Sequence, residues 1–214
     1  MFAHLHDYRL GNEPLTVVDS YPYLGVTVSS DLHWHRHVDN ICVKATSILN
    51  LVRRNIYQCS EEVKALAYLS LVRPHLEYAA AAWNPYTAHD SDQLEKVQRR
   101  AARFVKNDYR RTSSVTEFIM DLNWERLSDR RKNTRLAVFF KALHQQIAIP
   151  VDHLQRPTRC TRRSGAGSFI AISSNIDSYK FSFYPRTVVD WNSLPEPVRL
   201  KSSLGSFRGA LHSV

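Results

Sequence analysis

Cysteine, methionine and glycine are scarce in this chain of 214 residues, at three, two and six. Three scattered cysteines (Cys42, Cys59 and Cys160) exclude a disulfide framework, and none belongs to a CxxC pair of zinc-site spacing. The glycines build no phosphate-cradling loop, and neither GxSxG nor HExxH occurs. No apolar run approaches the roughly 18 residues of a membrane helix. The opening MFAHLHDYRLGNE lacks the apolar stretch of a secretory signal. A reducing compartment, cytoplasm or nucleus, is therefore expected, with no cofactor. The closest carboxylate pairs, Glu61-Glu62 and Asp90-x-Asp92, read as helix N-terminal charges rather than as holders of the two metal ions of nucleotidyl transfer.

What is abundant is positive charge in one place. Apolar residues make up 43% and charged ones 23%, a globular composition, with a formal net charge of +9. Residues 1–95 carry a net −4, residues 96–141 a net +8 and residues 142–214 a net +5. A local basic surface of this kind is the footprint of a polyanion partner.

Along the chain, Leu15–Val18 and Tyr23–Val28 are β-prone runs joined by the turn-like Asp19-Ser20-Tyr21-Pro22, which predicts a hairpin. Gly25 marks a bulge or a close backbone approach. From Trp34 to Val52 apolar residues recur within an arc of about 120°, predicting a helix over 33–54 with Cys42 on its apolar side. A second helix starts at Ser60 and reaches Pro74, which ends or kinks it before 75–83 continue. A third spans 90–107, a short one 115–122, and a long one 124–146 whose apolar residues occupy two faces. Four arginines in 156–163 precede Ser164-Gly165-Ala166-Gly167 and read as a mobile basic linker. Phe169–Ile172 and Tyr179–Tyr184 read as strands, and 204–211 as a closing helix. The expected architecture is mainly α: a β-hairpin (1–30), a helical bundle (31–149), a linker (150–168) and a small β-containing segment (169–214).

The sharpest pattern lies in the third helix. Leu94, Val97, Ala101, Phe104 and Val105 share one arc of about 100°, while Lys96, Arg99, Arg100, Arg103 and Lys106 share a largely opposite one of about 120°, with Glu95 at its edge. Five cations on one stripe repel each other unless an external polyanion neutralises them. Arg110 and Arg111 extend the charge, and Arg130, Arg131, Lys132 and Arg135 add a second cluster. Phosphate contact rather than base reading is the expected mode, with Tyr86 and Tyr109 as candidate stacking groups. Of the clustered His33, His35 and His37, the first and last stand at i and i+4 but His35 points away, so no metal site is expected.

Several stretches resemble a known family. Tyr23-Leu24-Gly25-Val26 followed by Leu32-x-Trp34-x-x-His37-Val38 resembles the segment after the catalytic palm of non-LTR (LINE-type, jockey-like) retrotransposon reverse transcriptases. Ser70-Leu71-Val72-Arg73-Pro74-His75-Leu76-Glu77-Tyr78-Ala79, Trp83-Asn84-Pro85 and Leu94-Glu95-x-Val97-Gln98-Arg99-Arg100-Ala101-Ala102-Arg103-Phe104 resemble its thumb. Phe183-Tyr184-Pro185-Arg186-Thr187 and Trp191-Asn192-Ser193-Leu194-Pro195 resemble its carboxy-terminal segment. The likeness runs in order over about residues 15–210. It implies a thumb that lies along an RNA or DNA template–primer duplex, with Tyr23, Leu24 and Gly25 in the hairpin that steadies the primer. The family's aspartate-pair polymerase motif does not occur in these residues, so the expectation is a terminal fragment that binds nucleic acid without polymerising it. The alternative is a retained interaction module that docks on a protein partner through exposed Tyr21, Tyr23 and Val26, or a remnant with no function.

Overall fold

The computed structural model describes residues 8–158 and 165–212. It is mainly helical, as expected, and opens on two antiparallel hairpins where the sequence predicts one. The first pairs β1 (Arg9–Leu10) with β2 (Glu13–Pro14), and the second pairs β3 (Ser20–Tyr23) with β4 (Val26–Ser29). Leu15–Val18 is exposed and forms no strand, contrary to expectation. The reversal comes at Leu24-Gly25, both with positive φ (47° and 82°), the two-residue turn whose twist matches the strands it joins. The supposed turn residues Ser20–Pro22 are therefore strand, with Pro22 tolerated because β3 is an edge. Val26, expected to be exposed, is buried in the core.

Helix α1 (His35–Ile56) begins two residues later than predicted, and α5 (Ala88–Lys106) begins two residues earlier, capped by Thr87, whose hydroxyl accepts from the Asp90 backbone. Between them, α2 (Glu61–Ala67) runs through a π-helical turn (Tyr68–Val72) into α3 (Arg73–Glu77). Lys64, Tyr68, Val72 and Leu76 bury one side of this run, at a constant spacing of four. In an unbroken α-helix such a row drifts by about 40° every four residues. The wider turn, in which the Arg73 amide donates to Tyr68 O, cancels the drift and absorbs Pro74, which lacks an amide hydrogen. Buried Lys64 lays its ammonium over the rings of Tyr57 and Phe104, at 5.7 and 5.5 Å. The chain then breaks at Ala79 (φ 52°) into α4 (Ala80–Trp83).

Two cores share one helix. The first gathers Val26, α1, the α2–α4 run, α5 and α6 (Val115–Asp121), and reaches Leu127 at the start of α7 (Leu127–Leu143). The second packs Leu136, Phe139 and Phe140 of α7 against Phe169, Val188, Trp191 and Phe207. The two apolar faces predicted for α7 thus serve two clusters.

The C-terminal segment is helical, not β: α8 (Asp177–Lys180), α9 (Phe183–Ser193), α10 (Glu196–Arg199) and α11 (Leu204–Leu211). Tyr179–Tyr184 spans α8 and the start of α9, where Pro185 fits the first turn. Phe169–Ile172 forms no strand: the Asn192 amide side chain holds both the N–H and the C=O of Phe169, at 3.0 and 2.7 Å, and the Ile170 amide donates to Gln155 O at 2.8 Å. Arg159, Arg162 and Arg163 of the expected linker lie outside the described residues, as does Cys160.

His37 couples hairpin to bundle. Its Nδ1 accepts from the Thr27 amide at 3.2 Å and its ring meets Trp83 edge-on at 4.8 Å. Burial pushes its pKa from 6.5 down to about 4. A proton therefore binds the unfolded chain first, so stability is present above 6.5 and is lost as pH falls towards 4. Denaturant titrations across that window should show a loss on the order of 3 kcal/mol, flattened in His37→Leu. A parent profile without slope there would contradict this burial.

Candidate nucleic-acid interface

Helix α5 carries its apolar arc as predicted, with Leu94, Val97, Ala101, Phe104 and Val105 all buried. Glu95 does not sit among the cations. It is buried and accepts from the Ser128 amide at 2.9 Å, neutralising the N-terminus of α7. Gln98 is buried beside it, accepting from the Tyr68 hydroxyl at 3.0 Å and donating to Glu125 O at 2.9 Å.

The predicted cations divide into three groups. Lys96, Arg99, Arg100 and Arg111 are exposed and form no ion pair with any described residue. Arg103 and Lys106 are half-buried and committed: Arg103 donates to the carbonyls of Asp108 and Arg110, and Lys106 pairs with Glu61 at 3.0 Å. Arg110 grips Asp108 at 2.7 Å, and that hydrogen bond, with one from Ser113, holds the Asp108 carboxyl well below the usual carboxylate range.

The second cluster is a correction. Arg131 and Arg135 are 1% and 2% exposed, so neither can meet a polyanion in this fold. Arg131 donates to Asn84 Oδ1 at 3.2 Å and Ser91 Oγ at 3.3 Å, and Arg135 pairs with Asp190 of α9. Burial lowers the pKa of both guanidiniums. Arg130 is half-buried between Glu77 and Glu125, and the Glu77 hydrogen bond raises its pKa. Lys132 is half-buried without an ion pair among the described residues. These residues lie along α7, where the two cores meet, and a helix contacted on both sides has no continuous solvated stripe.

Two arginines that the sequence reading missed stand at the end of α1. A groove of 540 Å³ between α1 and α5 is lined by Thr46, Ser47, Lys96 and Arg100. At Ser47 it meets a second, of 750 Å³, lined by Asn50, Arg53, Arg54 and Tyr57. The Arg53 guanidinium lies 5.4 Å over the ring of Tyr109, which is half exposed. Two cations in the last turn of a helix satisfy its dipole, so nothing in the sequence set Arg53 and Arg54 apart. Tyr86 is not a free stacking group: it stacks on Phe181 at 4.7 Å and its hydroxyl meets His33 Nδ1 at 2.9 Å.

The hairpin residues are elsewhere. Tyr23 and Leu24 are exposed at 64% and 74%, and the Tyr78 hydroxyl donates to Leu24 O at 3.2 Å. Gly25 is required by its positive φ in the turn rather than by a bulge or a close backbone, and a Cβ there would also come within 3.2 Å of the Tyr78 ring. The cleft beneath them is lined by Asn40, Ile41 and Lys44 of α1, whereas Asp39, Cys42, Val43 and Thr46 line the basic groove. At 100° per residue those two sets point about 155° apart, so Tyr23, Leu24 and Gly25 and the basic stripe lie on opposite sides of α1.

Chemically reactive groups are few. Burial, with Asp39 nearby, pushes the Cys42 thiol up to about 11, an inert state. Among the described residues, no helix is long and apolar enough to cross a membrane.

The division of the arginines is measurable. Asp190→Ala strands Arg135 without its counter-charge and is expected to cost about 3 kcal/mol in urea unfolding. Arg99→Ala is expected to change stability by less than about 0.5 kcal/mol. Equal effects would mean that the two arginines share one environment. Compared with protein-family models, with curated proteins and with solved structures, the chain matches none.

Proposed function

We propose that this chain is the thumb-like part of a LINE-type reverse transcriptase and holds RNA–DNA or other duplex nucleic acid through phosphate contacts along the α1–α5 groove. The carrying observation is that Lys96, Arg99 and Arg100 are exposed together with no ion pair among the described residues, with Arg53 and Arg54 at the far end of the adjoining groove. Condensed counterions leave a duplex when cations replace them, so such a face gains from polyanion contact what it cannot gain from its own acids. From Lys96 to Arg100 the open part of the stripe rises about 6 Å along α5, enough to meet neighbouring phosphates of a duplex. Its side chains reach out as point charges and forks, which fits phosphate contact that is indifferent to sequence. No aspartate pair of polymerase type belongs to this reading, and the activity proposed is binding alone.

Replacing Lys96, Arg99 and Arg100 together by Ala should weaken duplex binding to a similar degree for unrelated sequences. It should also reduce the slope of log affinity against log salt by up to about three. Fluorescence anisotropy over a salt series reads both quantities. Unchanged affinity at low salt would refute the assignment of this face.

A second reading, docking on a protein partner, rests on the hairpin. Tyr21 and Val28 face each other across it and are 63% and 38% exposed, with Tyr23 and Leu24 beyond them. Here Val26 takes no part, being buried. Under this reading Tyr21→Ser with Tyr23→Ser abolishes concentration-dependent association in sedimentation velocity while leaving duplex binding intact. A parent chain that stays monomeric at high concentration would remove its self-associating form.

A further inference from the structure

The first turns of α1 and α5 bring His35 against His89 and Asp90, two neighbours in sequence that lie far along the chain from it. Asp90 Oδ1 lies 2.6 Å from His35 Nδ1 and 3.4 Å from His89 Nδ1. One donor atom from each of the three residues lies within 4.8 Å of the others. An ion that binds its ligands tetrahedrally at about 2.0–2.2 Å sets them about 3.3–3.6 Å apart, inside the span from 2.6 to 4.8 Å found here. We propose that His35, His89 and Asp90 bind a divalent cation of the zinc class, joining the N-terminal turns of α1 and α5.

The donor set selects the ion. Two imidazoles and one carboxylate suit zinc and its first-row neighbours, whereas magnesium and calcium take oxygen ligands and retain water. The surroundings orient each ligand. Asp90 is 3% exposed by side chain, and the Thr87 hydroxyl donates to its Oδ2 at 2.7 Å, leaving Oδ1 towards the two rings. The His33 ring stacks on His35 at 5.5 Å and is itself held by Tyr86. The Gln93 amide reaches His89 Nε2 at 3.5 Å. Outer contacts of this type fix ring orientation and tautomer in metal-binding histidines. His35 and His89 are 48% and 69% exposed by side chain, so an ion has an entry path and keeps at least one position for water. Asp39, one helical turn after His35, lines the adjoining groove with His89, where Lys96 and Arg100 also stand.

No metal site is expected from the spacing of His33, His35 and His37, and His33 and His37 do not pair. His37 is buried under the hairpin and His33 is turned to Tyr86, while His35 faces α5. This site does not depend on nucleic-acid binding, and its test needs no nucleic acid.

Isothermal titration of the untagged full chain with zinc chloride near neutral pH should give one saturable site, with magnesium giving none. Cobalt(II) in place of zinc should give a visible d–d spectrum without sulfur-to-metal charge transfer, which separates this site from Cys42 and Cys59. His35→Gln and His89→Gln, both at exposed positions, should each weaken zinc binding by about ten-fold or more. Zinc should raise the Tm of the parent and not of the double variant, whose Tm in chelator matches the parent's. Absence of saturable binding, or a double variant that binds as the parent does, would overturn the proposal and leave the three residues as a hydrogen-bonded cluster only.

Discussion

The pair formed by Arg135 and Asp190 fastens the C-terminal helices to the bundle, and much of the molecule depends on it. Arg135 is buried on α7, the helix that both cores use, and Asp190 is carried by α9. Around it the seam is polar and cationic. Arg131 reaches back to Asn84 and Ser91, and Arg186 of α9 donates to the carbonyls of Asn84 and Pro85 at 3.0 and 3.1 Å. Burial, with Arg135 close by, pushes the Arg186 guanidinium down to about 10. Three guanidiniums with one carboxylate at this junction are costly to desolvate, and directed hydrogen bonds offset the cost only in one geometry. The seam therefore contributes specificity of docking more than net stability.

That arrangement determines which surface is left for a partner. Charge used inside the seam is unavailable outside it, so the basic character of residues 96–141 resolves into a buried half on α7 and an open half on α5. The open half gains Arg53 and Arg54 because α1 and α5 lie side by side. The hairpin stays apart from this face. Val26 and Ser29 are buried while Tyr21 and Tyr23 are exposed, so it can serve a contact independent of the groove.

Helix periodicity made the bundle legible. The apolar arcs of α1 and α5 are regular over five turns, and regularity of that length leaves few alternatives. The two-faced pattern of α7 announced its two neighbours. The run from Ser60 was harder to read, because Val63, Leu66 and Leu71 are exposed while Lys64 is buried. A π-helical turn changes the period within the helix, and a fixed 100° step misassigns the face. Aromatic and β-branched content suggested strands in the tail, but a strand requires a partner, and a side-chain amide from Asn192 took that place.

Sequence alone determined the mainly helical build, the hairpin at its start, the inward arc of α5 and the outward direction of Lys96, Arg99 and Arg100. All of these follow from local periodicity and turn chemistry, which short stretches of chain encode completely. Tertiary structure alone decided that Arg131 and Arg135 are interred, that Glu95 turns inward, and that His35 meets His89 and Asp90. Each of those outcomes depends on a neighbour more than thirty residues away, and the energy that selects it (desolvation against pairing) exists only once that neighbour has arrived.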